Sequence, residues 1–290
     1  MRVAFLGPAG TFSDEALAAA AADAAVERVA SPTIFHAIDA VEQGDAARAF
    51  VPFENSIEGT VRSTLDALAF DADGVEIVGE YDHPIRNNLI ARRSLALEEI
   101  EAVVSHPQAN AQCAGFLRRE LPGATVLAAA STSDAVRQVS VSEEPWAALG
   151  SAAAAEAFGC VILREGVEDA AGNVTRFVWL ARIGVAAEQV IGDRPLRTTL
   201  VFSELGTDRP GVLVDALAEF SNRGVNMTRI ESRPMRQGLG RYIFFLDVDD
   251  AAGEQPTIDA IEALRSKAET VRVLGRYPVG GPAPLEIAVS

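Results

Sequence analysis

VAFLGPAGTFS, residues Val3 to Ser13, decides the fold class. Val3-Ala4-Phe5-Leu6 reads as a buried strand and Gly7-Pro8 as a turn. Ser13 is an N-cap residue followed by Asp14 and Glu15, whose charges suit the first turn of a helix. That helix is expected to run from Ser13 to about Val29. Strand, tight turn and helix in one short stretch open an α/β layer structure, and the same punctuation recurs along the chain.

Further strands are expected at Ala49-Phe50-Val51-Pro52, Gly74 to Glu80, Arg86 to Ala91, Ala102-Val103-Val104, Thr125 to Ala129 and Trp146 to Leu149. Helices are expected at Asn110 to Glu120, Ser133 to Val141 and Ala152 to Phe158, before a last apolar strand, Phe177-Val178-Trp179-Leu180. The alternation implies helices layered on a largely parallel sheet in residues 1–183. Residues 184–197 carry Gly, Pro and mixed charge without periodicity and read as a linker. Residues 198–277 then read strand Thr198 to Ser203, turn Asp208 to Gly211, helix Val212 to Arg223, and strand Asn226 to Ser232. Strand Tyr242 to Val248, helix Thr257 to Ala268 and strand Val271 to Leu274 complete a ferredoxin-like βαββαβ unit, with residues 278–290 as a tail.

At 290 residues there is length for two domains, and 49% hydrophobic content with mean hydropathy +0.15 fits a soluble, well-packed protein. Met1 to Gly7 is too briefly apolar for a secretory segment and suits a first strand, so a cytoplasmic protein is expected. The formal net charge of −16 argues against nucleic acid or an anionic membrane as partner. Cys113 and Cys160 are far apart and read as free thiols of a reducing cytosol. His36, His83 and His106 are equally scattered, so neither a metal nor another cofactor is expected.

Polar groups gather where strands end. GPAGTFS (Gly7 to Ser13) offers close backbone and the Thr11 and Ser13 hydroxyls to an anion, or is simply a capped turn. PFENSIEG (Pro52 to Gly59) sets Glu54, Asn55, Ser56 and Glu58 behind a buried strand, where crevices of open α/β sheets lie. SHPQANAQC (Ser105 to Cys113) follows another strand and puts Gln108 and Gln112 on one helix face; His106 there reads as a hydrogen-bonded structural residue. STSDAV (Ser131 to Val136) is a hydroxyl-rich helix start, most simply a cap. GNVTRFVWL (Gly172 to Leu180) delivers Thr175 and Arg176 at the mouth of an apolar strand. Neutral donors at strand ends of an acidic chain resemble a two-lobed periplasmic-binding-type cleft for a small anion.

GPAGTFS, PFENSIEG, SHPQ with Gln112-Cys113, AALGS (Ala147 to Ser151) and GNVTRFVWL, in that order, resemble the prephenate dehydratase family. The βαββαβ unit with Glu231-Ser232-Arg233-Pro234 resembles its ACT regulatory domain. The resemblance implies decarboxylative dehydration of prephenate to phenylpyruvate in phenylalanine biosynthesis, without metal, nucleotide or redox cofactor. It implies that the Thr175 hydroxyl assists the leaving group. It places Thr11, Glu54, Asn55, Ser56, Ser105, Gln112, Ser133, Arg176 and Phe177 at the substrate, Thr11 and Ser133 from loop position alone. Arg176 either fixes a carboxylate or pairs with a structural acid, and Phe177 reads as core. Gly211, Val212, Leu213, Asn226, Glu231, Ser232 and Arg233 would form a phenylalanine effector site between paired ACT domains of a homodimer or homotetramer.

Two features depart from the family pattern. Asn87 stands where many members carry a histidine; an amide does not titrate near neutral pH, and the position is expected to support structure. Val212 replaces the common alanine of the Gly-Ala-Leu loop. Arogenate as substrate, or a non-catalytic sensor of small anions and amino acids, are the alternative readings.

Overall fold

The computed structural model describes residues 1–22, 24–185, 194–206, 209–250 and 253–280. Most of the expected linker, Asp208 of the expected turn, and tail residues 281–290 lie outside the described residues. The chain opens with β1 (Arg2–Leu6), α1 (Phe12–Ala21), β2 (Glu27–Ser31), α2 (Ile34–Glu42), β3 (Arg48–Asn55), β4 (Gly59–Thr60), α3 (Arg62–Phe70) and β5 (Val75–Pro84). Then come β6 (Asn88–Ala91), β7 (Ala102–Ser105), α4 (Pro107–Gln112), α5 (Ala114–Glu120), β8 (Thr125–Ala128), α6 (Thr132–Val141), β9 (Trp146–Gly150), α7 (Ala152–Ala157) and β10 (Val161–Arg164). The remainder is β11 (Val174–Arg182), β12 (Leu196–Ser203), α8 (Val212–Ser221), β13 (Asn226–Pro234), β14 (Tyr242–Asp249), α9 (Glu254–Arg265) and β15 (Thr270–Pro278).

By compactness these elements divide into two units. One holds Met1–Thr64 with Asp82–Phe177; the other holds Leu65–Tyr81 with the described residues from Val178 onward. Most of α3 and β5 therefore belongs with the C-terminal strands, an association that chain order alone does not reveal.

The first sheet has the order β2-β1-β3-β11-β5, with β4 on β3, and β1 is parallel to both β2 and β3. The second has the order β10-β6-β9-β7-β8; β7 is parallel to β8 and β9, while β6 is antiparallel to β9 and β10. The sheets are thus mixed rather than largely parallel. In the second sheet, period-two alternation sends neighbouring residues to opposite faces. Leu89, Val103, Ala147 and Leu149 pack with Cys113 and Leu117 on one side, and Ile90, Val104 and Ala148 with Val136, Val139 and Ala154 on the other.

The third sheet, β13-β14-β12-β15, is antiparallel throughout and has the βαββαβ order expected. Leu200, Phe202, Leu246 and Val248 on one face meet Ala216, Phe220, Ile261 and Leu264 of α8 and α9.

Two expectations change at the level of elements. The first helix stops at Ala21, where Ala22 turns to φ +47°, and Glu27–Ser31 becomes a parallel edge strand on β1. The alanines there carry helix propensity, but hydrogen bonding to an open sheet edge outweighs it for the residues that follow. The helix expected at Asn110 to Glu120 starts earlier, at Pro107, and breaks at Cys113 into α4 and α5.

Cys113 is fully buried, and its thiol is pushed up to about 12 by burial, with the Glu168 and Asp169 charges adding to the effect. Cys160 is half-buried, with its thiol raised by burial alone. A thiol reagent applied to the native protein at pH 8 is expected to modify Cys160 and reach Cys113 only on unfolding, because the thiolate is the nucleophile. Native Cys160→Ser protein that still titrates a thiol would contradict this packing.

Candidate active site

Within the first unit the two sheets flank a cavity of about 740 Å³. Three helix starts meet at it. Thr11 caps α1 by accepting from the Asp14 N–H, and Ser131 caps α6 by accepting from the Asp134 N–H. His106 caps the short α4, its Nδ1 accepting from the Gln108 N–H. Unpaired N–H groups and the positive ends of helix dipoles make such starts receptive to carboxylates. Arg62, from the first turn of α3, adds a full positive charge to the wall, and Glu58 a negative one.

β11 supplies Thr175 and Phe177 to the cavity wall. Strand alternation turns Thr175 and Phe177 towards the cavity and Arg176 away from it. Phe177 stacks on Phe50 with ring centroids 4.8 Å apart, so its ring is both core and cavity wall. Arg176 lies 4.8 Å over the Phe53 ring and pairs with Glu54 at 3.0 Å. Neither Arg176 nor Glu54 lines the cavity.

Asn55 is the hub. Its Oδ1 accepts from the Ile57 and Glu58 N–H groups, each at 2.9 Å, which fixes the amide's orientation. Its Nδ2 then donates to Asn173 Oδ1 at 2.7 Å and to Thr175 Oγ1 at 2.9 Å. Thr175 Oγ1 therefore acts as acceptor towards Asn55, and among the described residues the Thr175 O–H has no acceptor. Ser56 ties the same two loops together: its hydroxyl donates to Gly172 O at 3.1 Å and accepts from the Val174 N–H at 3.0 Å.

The other expected residues separate clearly. Gln112 lines the cavity and accepts from Asn173 Nδ2 at 3.4 Å. Ser105 is fully buried, donates to Leu149 O at 2.8 Å and does not line the cavity. Ser133 is buried and donates to Ala9 O at 2.7 Å, while Ser151 donates to Gly10 O at 2.8 Å. Ser133 and Ser151 thus fasten the helix starts behind the second sheet to the GPAGTFS loop.

Polar cavity residues that sequence reasoning did not single out are Thr60, Arg62, Thr132 and Asn173. Asn173 stands two places before Thr175, but its pairing with Asn55, 118 residues away in sequence, leaves no local signal. Among the described residues no group of three or more His, Cys, Asp or Glu side chains could hold a metal ion, and no helix is long and apolar enough to cross a membrane.

In the second unit, Gly211 caps α8 at φ +90°, which only glycine adopts readily, with Val212 and Leu213 opening the helix. Asn226 donates to Asp249 at 2.7 Å. Glu231 and Ser232 lie on the edge strand β13, and Arg233 near its end grips Asp66 of α3 through three hydrogen bonds of 2.9–3.1 Å. Arg236 joins the same carboxylate at 2.9 Å and covers the Phe70 ring. Arg197 pairs with Glu80 and Arg272 with Asp73. Four arginines of the C-terminal strands and their loops thus hold three carboxylates of the α3–β5 segment.

Residues 3–184 match the family model of prephenate dehydratase, and residues 200–266 match that of the ACT domain. A prephenate dehydratase of Amycolatopsis methanolica is 38% identical over 278 residues, 95% of this chain and 88% of that protein. The crystal structure of prephenate dehydratase from Arthrobacter aurescens in complex with L-Phe is 34% identical with TM-score 0.86, covering all of this chain and 94% of that one. GqqA, described as a novel type of quorum quenching acylase, is 30% identical with TM-score 0.83, covering 96% of this chain and 98% of that one.

Proposed function

This chain belongs to the prephenate dehydratase family of lyases, and from that premise we propose that it converts prephenate to phenylpyruvate under control by phenylalanine. In this reaction the C4–O bond breaks and the C1–carboxylate bond releases carbon dioxide. The electron pair of that bond completes the aromatic ring, and the departing hydroxyl leaves as water once it gains a proton. The difficult part is the departing oxygen. The observation that carries the reading is the Asn55–Thr175 bond, which leaves the Thr175 O–H as a donor at the cavity wall. Donation there stabilises charge as it develops on the leaving oxygen, and the Asn55 N–H stabilises the threonine oxygen in turn. Arg62 and the helix starts at Thr11 and Ser131 suit the two carboxylates.

One route to the acylase activity named for GqqA is a hydroxyl nucleophile beside a base. The neighbour of Thr175 is an amide that donates to it, so the acylase reading gains no support.

Regulation has a physical route. Arg233, at the end of β13 where the resemblance puts the effector, holds Asp66. The gripped segment, Leu65–Tyr81, leaves one cavity wall just after Arg62 and returns to another just before Ile85. An effector that re-sets β13 would move that segment and with it both walls. Coupling between sites of this kind typically changes affinity about 5–150-fold.

The test is phenylpyruvate formation by the purified protein from prephenate, with arogenate in parallel, with and without phenylalanine. Turnover of prephenate suppressed by phenylalanine is the expected result; turnover of arogenate alone would re-assign the substrate. Asp66→Asn is expected to keep basal turnover and calorimetric phenylalanine binding while cutting phenylalanine's effect about fivefold or more. An unchanged phenylalanine response in that variant would remove the Arg233–Asp66 route.

A further inference from the structure

Asn87 is fully buried, lines the cavity, and its carbonyl oxygen has no hydrogen-bond partner among the described residues. The orientation of that amide follows from a chain of side-chain amides whose polarity is fixed from both ends. At one end, two backbone N–H groups hold Asn55 Oδ1, so Asn55 Nδ2 donates to Asn173 Oδ1. Asn173 must then present Nδ2 to Gln112 Oε1, 3.4 Å away. At the other end, Gln112 Nε2 donates at 3.3 Å to Glu58, whose carboxylate only accepts when ionised. Gln112 thus turns Oε1 towards both asparagines, and Asn87 Nδ2 donates to it at 3.4 Å. Turning the Asn87 amide over would set two carbonyl oxygens against each other. Oδ1 is therefore the atom left without a donor.

A buried acceptor left unpaired is costly, and a ligand that brings an N–H or O–H removes the cost. Carboxylate and keto oxygens bring none. At neutral pH prephenate has one donor, its C4 hydroxyl; its other polar groups are two carboxylates and a ketone. We propose that Asn87 Oδ1 accepts the C4 O–H of the substrate, an assignment that rests on the prephenate dehydratase reading above. The leaving oxygen is then held twice: its hydrogen points to Asn87 and its lone pairs remain for the Thr175 donor. An asparagine suits this task because its carbonyl accepts whatever the pH. On this proposal Asn87 has a specificity role at the bond that breaks, beyond the structural role expected of it.

The experiment measures binding by calorimetry. The probes are two ring-saturated analogues of prephenate that cannot aromatise, one bearing the C4 hydroxyl and one with hydrogen there. Wild type is expected to bind the hydroxyl analogue about tenfold or more tightly, and Asn87→Leu to lose most of that preference. Equal binding by wild type overturns the proposal even if the variant fails to fold. A hydroxyl preference undiminished in Asn87→Leu overturns it too, because the hydroxyl is then read by other groups alone. With substrates, Asn87→Leu is expected to lower kcat/KM about 10- to 100-fold for prephenate, and for arogenate by the same factor where it is turned over. A loss confined to arogenate would assign the carbonyl to the substrate's ammonium group and overturn the hydroxyl contact. A wild type that turns over neither substrate but still prefers the hydroxyl analogue would fail the proposed function and leave the donor subsite standing.

Discussion

Thr175→Ala is expected to lower kcat with prephenate about 10²–10⁴-fold, the range for loss of one positioned proton donor. KM is expected to move by less than about threefold, because the contact matters most as charge develops on the leaving oxygen. The geometry allows this separation. Thr175 is 8% exposed, and its removal leaves the Asn55 amide anchored through Oδ1 and still donating to Asn173, so the loop should keep its shape. Thr175→Ser, which retains the hydroxyl, is expected to recover most of the rate. Thr175→Val, which replaces the hydroxyl by a methyl of similar size, should match the alanine variant. Steady-state kinetics of the three variants, with thermal melting as a control for folding, decide the matter. A fall of less than fivefold in both Thr175→Ala and Thr175→Val would show that the leaving oxygen is assisted by another group.

Much of this arrangement was legible in sequence, for identifiable reasons. The strand at Phe177 and the βαββαβ order after it follow from apolar periodicity and turn residues, both local signals. Thr175, Asn55 and Gln112 came from motifs in their order, and the structure brings them into one network. Position in a motif does not give side-chain direction, however. Arg176 and Thr175 are sequence neighbours, yet strand alternation puts them on opposite faces, Arg176 against Glu54 and Phe53. Ser105 and Ser133, expected at the substrate from motif and loop position, have hydroxyls that donate to backbone carbonyls, a partner that motif position does not reveal. Asn173 and the free carbonyl of Asn87 depend on partners distant in sequence and on amide orientation, which no local pattern encodes. The membership of Leu65–Tyr81 in the C-terminal unit is the largest feature hidden from sequence, since ion pairs such as Arg233–Asp66 form between stretches that each look like ordinary solvated surface.

That membership makes its own prediction at Gly275. This residue sits in β15 where the pairing with β12 skips a residue, a bulge between Thr199 and Leu200 opposite. A Cβ there would lie 2.8 Å from the Ile77 carbonyl carbon and 2.9 Å from Ile77 Cβ, with the carbonyl oxygen nearer still. Two of the three are backbone atoms of β5, so rotamer changes alone cannot relieve the clash; a strand has to move. Gly275→Ala is expected to destabilise the protein by about 3 kcal/mol, a fall in melting temperature of roughly 6–12 °C. Gly123→Ala is the control: a Cβ there meets nothing within 4 Å, so its melting temperature should stay close to wild type. The displaced strand belongs to the segment that Arg197 and Arg272 also hold, through Glu80 and Asp73. Loosening it should therefore weaken the phenylalanine response more than basal turnover, measured below the variant's melting range. Melting within about 1 °C of wild type would mean that β5 is not seated on β15 in solution, and the ion pairs on the same segment would lose their role as a route to the cavity.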